Sequence, residues 1–175
     1  MKKTIFICLL LACVSCVSNP GKNSKQEDAS KEFIKVFKEY GFSITSPCVL
    51  EDEKSHGLGN DAYFAGTELS DDPENAIGYQ VVVKEVPKGF KDLSEVELNA
   101  MMDQMKNSGF VNVEKVLFSD NKYPGFIGDK NQDGSVHRGV MFNKDKYIIS
   151  LIVSADSSVL DQKFNDFTNS FTVID

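Results

Sequence analysis

The strongest constraint on the fold is a series of short segments rich in β-branched and aromatic residues, each bounded by turn residues. Residues 63–68 and 77–86 form two such segments, and the second contains three consecutive valines. Four further segments lie at 111–118, 125–129, 136–142 and 147–153. Segments of this length and spacing predict antiparallel strands, with the first two paired as a hairpin across a turn at 71–74.

The start of the folded region is ambiguous between helix and strand. In residues 33–37 the spacing of apolar side chains suits a helix, whereas the composition suits a strand. A strand is favoured because Tyr40 and Gly41 then turn the chain into residues 42–46, which alternate in polarity before a proline. Residues 51–60, which include two glycines, predict an exposed loop.

Two helices are predicted. Ser94, with Glu97 three residues later, fits a capping box, and Gly109 ends the first helix. Its methionine stripe is interpreted as a core face rather than as a ligand groove. The second helix covers residues 157–170, and a short strand at 171–174 closes the chain. These elements together predict an α+β fold, a largely antiparallel sheet with helices packed on it.

The N-terminus has the features of an export signal. Two lysines precede an apolar run at residues 4–14, which is shorter than the roughly 20 residues of a membrane-spanning helix. The small residue and cysteine after it resemble the lipobox of bacterial lipoproteins, in which the cysteine is acylated and the signal is cut before it. Cys16 is the favoured lipidation site, with residues 1–15 as the signal peptide. The alternative, Cys13, leaves a shorter apolar region.

Acylation, for example with palmitate, holds such a chain on a membrane. Residues 16–30 comprise the modified cysteine and a tether too poor in apolar side chains to fold. Two or three acyl chains bind a bilayer stably, because each buried methylene contributes about 0.8 kcal/mol. The expected location is the bacterial cell envelope, and the outer membrane is favoured because no Asp follows either cysteine. Residues 31–175 then form a single domain.

The charge balance restricts the partners. The 175 residues include 19 Lys and Arg against 26 Asp and Glu, which gives a formal net charge of −7. Proteins that bind nucleic acid need basic residues to displace counterions from the phosphates, so no nucleic-acid partner is expected. The expected partners are the membrane, through the N-terminal acyl chains, and an envelope protein of unknown identity.

The sequence contains no catalytic constellation, so neither enzyme activity nor a cofactor is predicted. With Cys16 acylated, Cys48 is left without a cysteine partner, and a buried position is favoured over an exposed thiol. If Cys13 is acylated instead, Cys16 stays free to form a disulfide with Cys48. Cys48 with His56 is the one formal candidate for a thiol enzyme, but no motif surrounds either residue.

One string matches the opening of a calcium loop. Asp129, Asn131 and Asp133 precede Gly134 in the pattern D-x-N-x-D-G, but Val140 stands where the bidentate carboxylate is needed. The favoured interpretation is a hairpin turn in which Gly134 takes a positive φ, and no metal site is predicted.

Two other groups of residues have both a structural and a functional interpretation. The acidic residues of the turn at 71–74 are interpreted as a solvated turn. Tyr63, Tyr79 and Tyr123 could line a groove, but core positions are favoured for these aromatic side chains.

Four segments carry a resemblance to a known family. They are FKEYGFSITSP (37–47), NKYPGFIG (121–128), DKYIISLIVS (145–154) and FNDFTNSFTV (164–173). In order and spacing they resemble the PsbP/DcrB-like family of α/β/α sandwiches, which includes LpqN-type lipoproteins of mycobacteria. The likeness covers about residues 33–174. The chain departs from many members in having no tryptophan, notably at residues 48–50.

The resemblance implies a binding or assembly module, since members serve as photosystem assembly subunits, nuclear-transport partners, envelope lipoproteins and glycolipid-associated proteins. It carries over no binding residue. The function predicted from the sequence is therefore that of a non-enzymatic binding or assembly module. The alternative is a carrier that holds a small lipid or glycan ligand in an apolar pocket between helix and sheet.

Overall fold

Antiparallel strands dominate the structure, a computed structural model that describes residues 32–53, 62–70, 75–86, 89–132 and 134–174. The strands are β1 (Phe33–Phe37), β2 (Phe42–Ser46), β3 (Glu51–Asp52), β4 (Ala62–Glu68), β5 (Ile77–Glu85), β6 (Val111–Leu117), β7 (Tyr123–Gln132), β8 (Ser135–Lys144), β9 (Tyr147–Ala155) and β10 (Thr172–Val173). The helices are α1 (Glu95–Asn107), a single turn α2 (Phe118–Asn121) and α3 (Ser157–Asn169). The α+β class predicted from the sequence is confirmed.

Seven strands form one large sheet in the order β3-β4-β5-β9-β8-β7-β6. The pairs β4–β5, β7–β8 and β8–β9 join strands that are adjacent in sequence, and all of them are antiparallel. The hairpin predicted for β4 and β5 is thus confirmed. The pairing of β5 with β9 joins distant parts of the chain, and it places β9 in the middle of the sheet.

One strand contradicts the sequence-based interpretation. The sequence predicts an exposed loop at residues 51–60, but Glu51 and Asp52 form β3, opposite Ala65 and Phe64 of β4. Both acidic side chains are exposed. The strand has only two residues, and both are acidic. The sequence here therefore lacks the β-branched and aromatic residues that predict a strand. Residues 54–60 lie outside the described ranges.

A small sheet in the order β1-β2-β10 lies beside the large one. The strand at Phe33–Phe37, which the sequence left ambiguous, is confirmed, and it pairs with β2 from Phe37 opposite Phe42 to Phe33 opposite Ser46. Gly41 makes the connection in the left-handed region at φ 69°. The last strand, β10, pairs with β2 through Thr172 and Val173.

The large sheet carries a hydrophobic core on each face. On one face, which we call the α3 face, alternate residues of the central strands pack against α3 and the small sheet. The opposite face, the α1 face, packs against α1. Adjacent residues of β8 show the division: Phe142 belongs to the α3 face and Met141 to the α1 face. Helices therefore cover both sides of the sheet.

Helix α1 begins as the sequence predicts. The Ser94 amide donates to Oε2 of Glu97 at 2.7 Å, and the Glu97 amide donates to the Ser94 hydroxyl at 3.3 Å, which completes a capping box. Gly109 follows the helix at φ 89°. Met101 and Met105 are buried, so the core interpretation of the methionine stripe is confirmed. Over the described ranges, every helix is too short or too polar to cross a bilayer.

Candidate functional site

A water-accessible pocket of about 310 Å³ lies between α3 and the β6–β7 end of the large sheet, on the α3 face. Its lining residues are Val116, Leu117, Phe118, Ser119, Asp120, Ile127, Val140, Phe164, Thr168, Asn169 and Phe171. The volume falls at the lower end of the range of about 300–1,000 Å³ that is typical of small-molecule sites. The pocket is therefore large enough for a small ligand.

The sheet supplies the apolar floor of the pocket. Ile127 of β7 and Val140 of β8 are direct cross-strand partners and so point to the same face. In the next row Val116 pairs with Gly125, which pairs with Phe142. Gly125 does not itself line the pocket, because the backbone of β8 lies where its side chain would be. A Cβ atom at Gly125 would lie 2.3 Å from the Met141 carbonyl oxygen, so the backbone packing there leaves no room for one.

An aromatic cluster forms one wall. The ring of Phe118 stacks on Phe142 with centroids 4.2 Å apart, and it meets Phe171 edge-on at 5.5 Å. Phe142 and Phe171 are themselves in edge-on contact at 5.1 Å. These contacts hold Phe118 against the sheet. Rings have few rotamers, so the wall keeps its shape when the pocket is empty.

The turn α2 forms the rim, and its backbone is unusual. Ser119, Asp120 and Asn121 all have positive φ, at 52°, 53° and 62°. A left-handed conformation costs a residue other than glycine about 1–2 kcal/mol, and such residues normally occur singly. The Lys122 amide, which donates to the Phe118 carbonyl at 3.1 Å, closes the turn. Backbone strain of this kind is concentrated at binding sites, where the surrounding structure imposes it.

Polar groups contribute a large part of the pocket lining, through Ser119, Asp120, Thr168 and Asn169. Asp120 and Asn169 are exposed and Ser119 is half-buried. Thr168 lies deeper, and its hydroxyl donates to the Phe164 carbonyl at 2.8 Å, so it is engaged within α3. A ligand in this pocket therefore meets apolar side chains on the floor and the wall, and polar groups on the rim turn and on α3.

Cys48, the candidate nucleophile of the sequence, is buried and carries no disulfide. Burial, and to a lesser extent the nearby carboxylate of Glu68, raises the pKa of the thiol to about 12. Its sulfur lies 2.8 Å from the position that a Cβ of Gly66 would occupy, so β4 packs directly against it. The thiol stays protonated near neutral pH. The buried position favoured from the sequence is confirmed, and His56 lies outside the described residues.

The calcium-like string is a β-hairpin, as the favoured interpretation predicts. Asp129 and Asn131 lie within β7, paired with Arg138 and Val136 of β8, and Gly134 has φ 84° in the turn. Asp133 is outside the described residues. Within the described part of the chain, groups of three His, Cys, Asp or Glu residues placed to bind a metal ion do not occur.

Asp129 is engaged in an ion pair that the sequence did not predict. Arg138 donates to its two carboxylate oxygens from Nε at 2.7 Å and Nη2 at 3.1 Å, and Nδ2 of Asn112 donates at 3.0 Å. The hydrogen bonds from Arg138 hold the pKa of the Asp129 carboxyl below its usual value, against the effect of burial. Arg138 also pairs with Asp161 of α3, so it ties the helix to the sheet.

The tyrosines predicted for the core are in the core. Tyr63, Tyr79 and Tyr123 are all buried. The Tyr79 hydroxyl donates to Oε2 of Glu68 at 2.9 Å, and Glu68 also pairs with Lys163 of α3 at 2.8 Å.

Other sequence-predicted positions lie outside the described residues. They are the lipidation candidates Cys13 and Cys16 and the acidic turn at residues 71–74. The pocket was not located from the sequence. The one local signal is the run Ser119-Asp120-Asn121, whose residue types favour turns.

The fold defined by this sheet and its helices is that of PsbP proteins. The solution structure of cyanobacterial PsbP (CyanoP) from Synechocystis sp. PCC 6803 is similar with a TM-score of 0.56 and 17% sequence identity, over 89% of this chain and 99% of that chain. No family model matches the sequence. No curated protein matches it either. The protein therefore has a PsbP-like fold, and at this level of identity the likeness extends to the fold alone.

Proposed function

We propose that this protein is a non-enzymatic binding module held on the bacterial cell envelope by acyl chains. The proposed anchor is Cys16, with Cys13 as the alternative, and the proposed tether ends just before β1. The binding part is the PsbP-like domain. In family terms, the proposal places the chain among the DcrB-like and LpqN-like lipoproteins that its segments resemble.

The observation that carries the proposal is the pocket of about 310 Å³ beside α3. Its floor exposes Val116 and Ile127, which are only half-buried. Exposed apolar surface is unfavourable in water, and a ligand that covers it gains about 25 cal/mol for each Å² buried. Of the two forms of a binding module, the pocket favours a carrier of a small lipid or glycan over a protein assembly factor.

Native mass spectrometry of protein extracted gently from envelopes tests the binding function. A small molecule that co-purifies with the protein supports the carrier. A stoichiometric envelope protein in its place supports the assembly factor. Protein that is repeatedly free of both contradicts the proposed function.

Metabolic labelling with palmitate tests the anchor separately. We expect label in the wild type and in Cys13→Ser, and loss of label in Cys16→Ser. Label that is lost in Cys13→Ser alone moves the site to Cys13. If the double variant pellets with membranes like the wild type, acylation is not what anchors the chain.

Alkylation separates the binding module from a thiol-dependent enzyme. Because the pKa of Cys48 is raised to about 12 by burial, we expect iodoacetamide to leave it unmodified at neutral pH until the protein is unfolded in urea. The full chain with Cys13→Ser and Cys16→Ser is suitable, since Cys8 is the only other cysteine and can be replaced as well. Rapid modification of the folded protein favours the enzyme.

A further inference from the structure

We propose that the pocket beside α3 binds a small amphiphile with a cationic head group, such as an alkyl or aromatic amine, and that Asp120 receives the cation. The inference rests on the proposed function as a small-molecule carrier. It adds the chemical class of the ligand.

The interior of the pocket sets the apolar part of the ligand. Ile127 and Val140 form the floor, Phe164 of α3 lies opposite, and the Phe118 ring forms the wall. An ionised group placed among these side chains would lose its hydration without gaining a partner, which is costly. The charged end of a ligand must therefore lie at the mouth, beside Ser119, Asp120 and Asn169.

The charge at the mouth selects a cation. Among the described residues that line the pocket, Asp120 is the one charged side chain. Glu114, the cross-strand neighbour of Ile127 on the same face, adds a second exposed carboxylate nearby. An anionic head group would meet repulsion here, and a cationic one attraction.

Basic side chains on the surrounding elements are paired with acidic residues, including Arg138, whose guanidinium carbon lies 5.9 Å from the ring centroid of the lining residue Phe164. Arg138 of β8 pairs with Asp129 and Asp161, and Lys163 of α3 pairs with Glu68. Lys115 of β6 pairs with Glu95 of α1, away from the pocket.

Lys122 follows the rim turn directly, and its ammonium lies 5.3 Å from the centroid of the Tyr123 ring, which does not line the pocket. Asp120 is thus the charged side chain in the described lining of the pocket, and Lys122 stands beside the rim turn outside that lining.

The left-handed turn fixes the position of that carboxylate. Asp120 has φ 53° and ψ 39° between Ser119 and Asn121, which are also left-handed. The turn begins at Phe118, whose ring is stacked in the aromatic wall. Asp120 is thus presented at a defined place above the apolar floor.

Three probes with the same hydrocarbon chain test the proposal: decylammonium, decanol and decanoate, each below its micelle concentration. The full chain with Cys13→Ser and Cys16→Ser is used, so that neither its own acyl groups nor detergent competes. Binding is measured by calorimetry, and the site by amide chemical-shift changes. We expect decylammonium to bind most tightly and decanoate most weakly, with shifts centred on residues 116–120.

Two pairs of variants assign the interactions. Asp120→Asn keeps a residue type that tolerates the left-handed conformation, and we expect it to weaken decylammonium binding about fivefold, as for an exposed ion pair. Asp103→Asn, an exposed acid of α1, is the matched control and should have no effect.

Val116→Phe should block binding of all three probes, whereas Val111→Phe on the same strand should not. If Val116→Phe does not fold, the smaller Val116→Leu replaces it.

The outcomes separate this inference from the proposed function. Decanoate binding as tightly as decylammonium, or Asp120→Asn without effect, overturns the cationic ligand and leaves the carrier standing. Binding that is insensitive to Val116→Phe and Val116→Leu overturns the site. No binding of any probe, while native mass spectrometry still finds a co-purified small molecule, also overturns the ligand class but not the carrier. If neither a probe nor a natural ligand binds, both proposals fail.

Discussion

The two faces of the large sheet are packed with different kinds of side chain. The α3 face contains eight buried aromatic residues: Phe37, Phe42, Tyr79, Tyr123, Phe142, Phe164, Phe167 and Phe171. The α1 face combines three buried methionines, Met101, Met105 and Met141, with three buried phenylalanines, Phe90, Phe110 and Phe126. Methionine, which is flexible and fills irregular gaps, is thus found in the core of the α1 face and is absent from the described core of the α3 face.

The turn after α1 and the turn at the rim of the pocket differ in the residues that take a positive φ. The turn after α1 uses Gly109 at φ 89°, where glycine is at no steric disadvantage. The rim of the pocket on the α3 face uses Ser119, Asp120 and Asn121 in left-handed conformations. The turn after α1 thus has glycine at the position that needs a positive φ, whereas the turn at the pocket has three residues other than glycine at such positions.

The largest expected effect tests the aromatic packing. Phe142→Ala should lower the free energy of unfolding by about 3–5 kcal/mol, because it removes a fully buried ring and its contact with Phe118. Met141→Leu, its neighbour on the α1 face, should cost less than about 1.5 kcal/mol, since the volume is conserved. Urea unfolding followed by circular dichroism measures both. If Met141→Leu lowers the free energy of unfolding as much as Phe142→Ala does, the core of the α1 face does not tolerate a change of side-chain shape better than the core of the α3 face.

A smaller effect is expected from the ion pair between Asp129 of β7 and Arg138 of β8. Asp129→Asn should lower stability at neutral pH by about 2 kcal/mol, because the charged hydrogen bonds to Arg138 are lost. The pKa of Asp129 is lowered in the folded state, so its contribution is complete above the unfolded pKa of about 3.9 and is lost as the pH falls through the folded value. Urea unfolding at several pH values should show the wild type and the variant converging in acid. Asp103→Asn, an exposed acid of α1, is the control and should change stability little. A gap between the wild type and Asp129→Asn that stays constant with pH would contradict the role of the carboxylate.

The capping box of α1 should contribute about 1 kcal/mol. Ser94→Ala removes the hydroxyl that accepts from the Glu97 amide, and unfolding experiments should detect this loss. Glu97→Gln retains a side-chain oxygen that can accept from the Ser94 amide, so it serves as the control. No loss in Ser94→Ala would contradict the role of the cap, and a loss in Glu97→Gln as large as that in Ser94→Ala would show that the negative charge of Glu97 also stabilises the helix.

The smallest expected effect compares the two turns. Ser119→Gly should raise stability by about 0.5 kcal/mol, because relief of a left-handed serine exceeds the entropy cost of glycine. Gly109→Ala should lower it by about 1 kcal/mol for the same steric reason, although no heavy atom lies within 4 Å of the new Cβ. Thermal unfolding measures both shifts. Destabilisation by Ser119→Gly would show that the serine side chain supports the turn.

Local patterns predicted most of the elements, whereas contacts between distant segments were not predictable. The hairpin of β4 and β5, the cap at Ser94 and the turn at Gly134 follow from residues close in sequence. The pairing of β5 with β9 depends on which segments meet in space. The same holds for the short acidic strand β3, which is a strand only because it lies beside β4. The ion pair of Asp129 with Arg138 likewise forms only because β7 and β8 bring the two side chains to the same face.

The sequence by itself determined the α+β class and the alternation of buried and exposed residues, since these follow from local composition and periodicity. Tertiary structure alone decided where an opening would remain. The pocket requires the pairing of β6, β7 and β8, the stacking of Phe118 on Phe142 and the placement of α3 to occur together. Each of these depends on how separate parts of the chain fill a shared volume, which no single segment encodes.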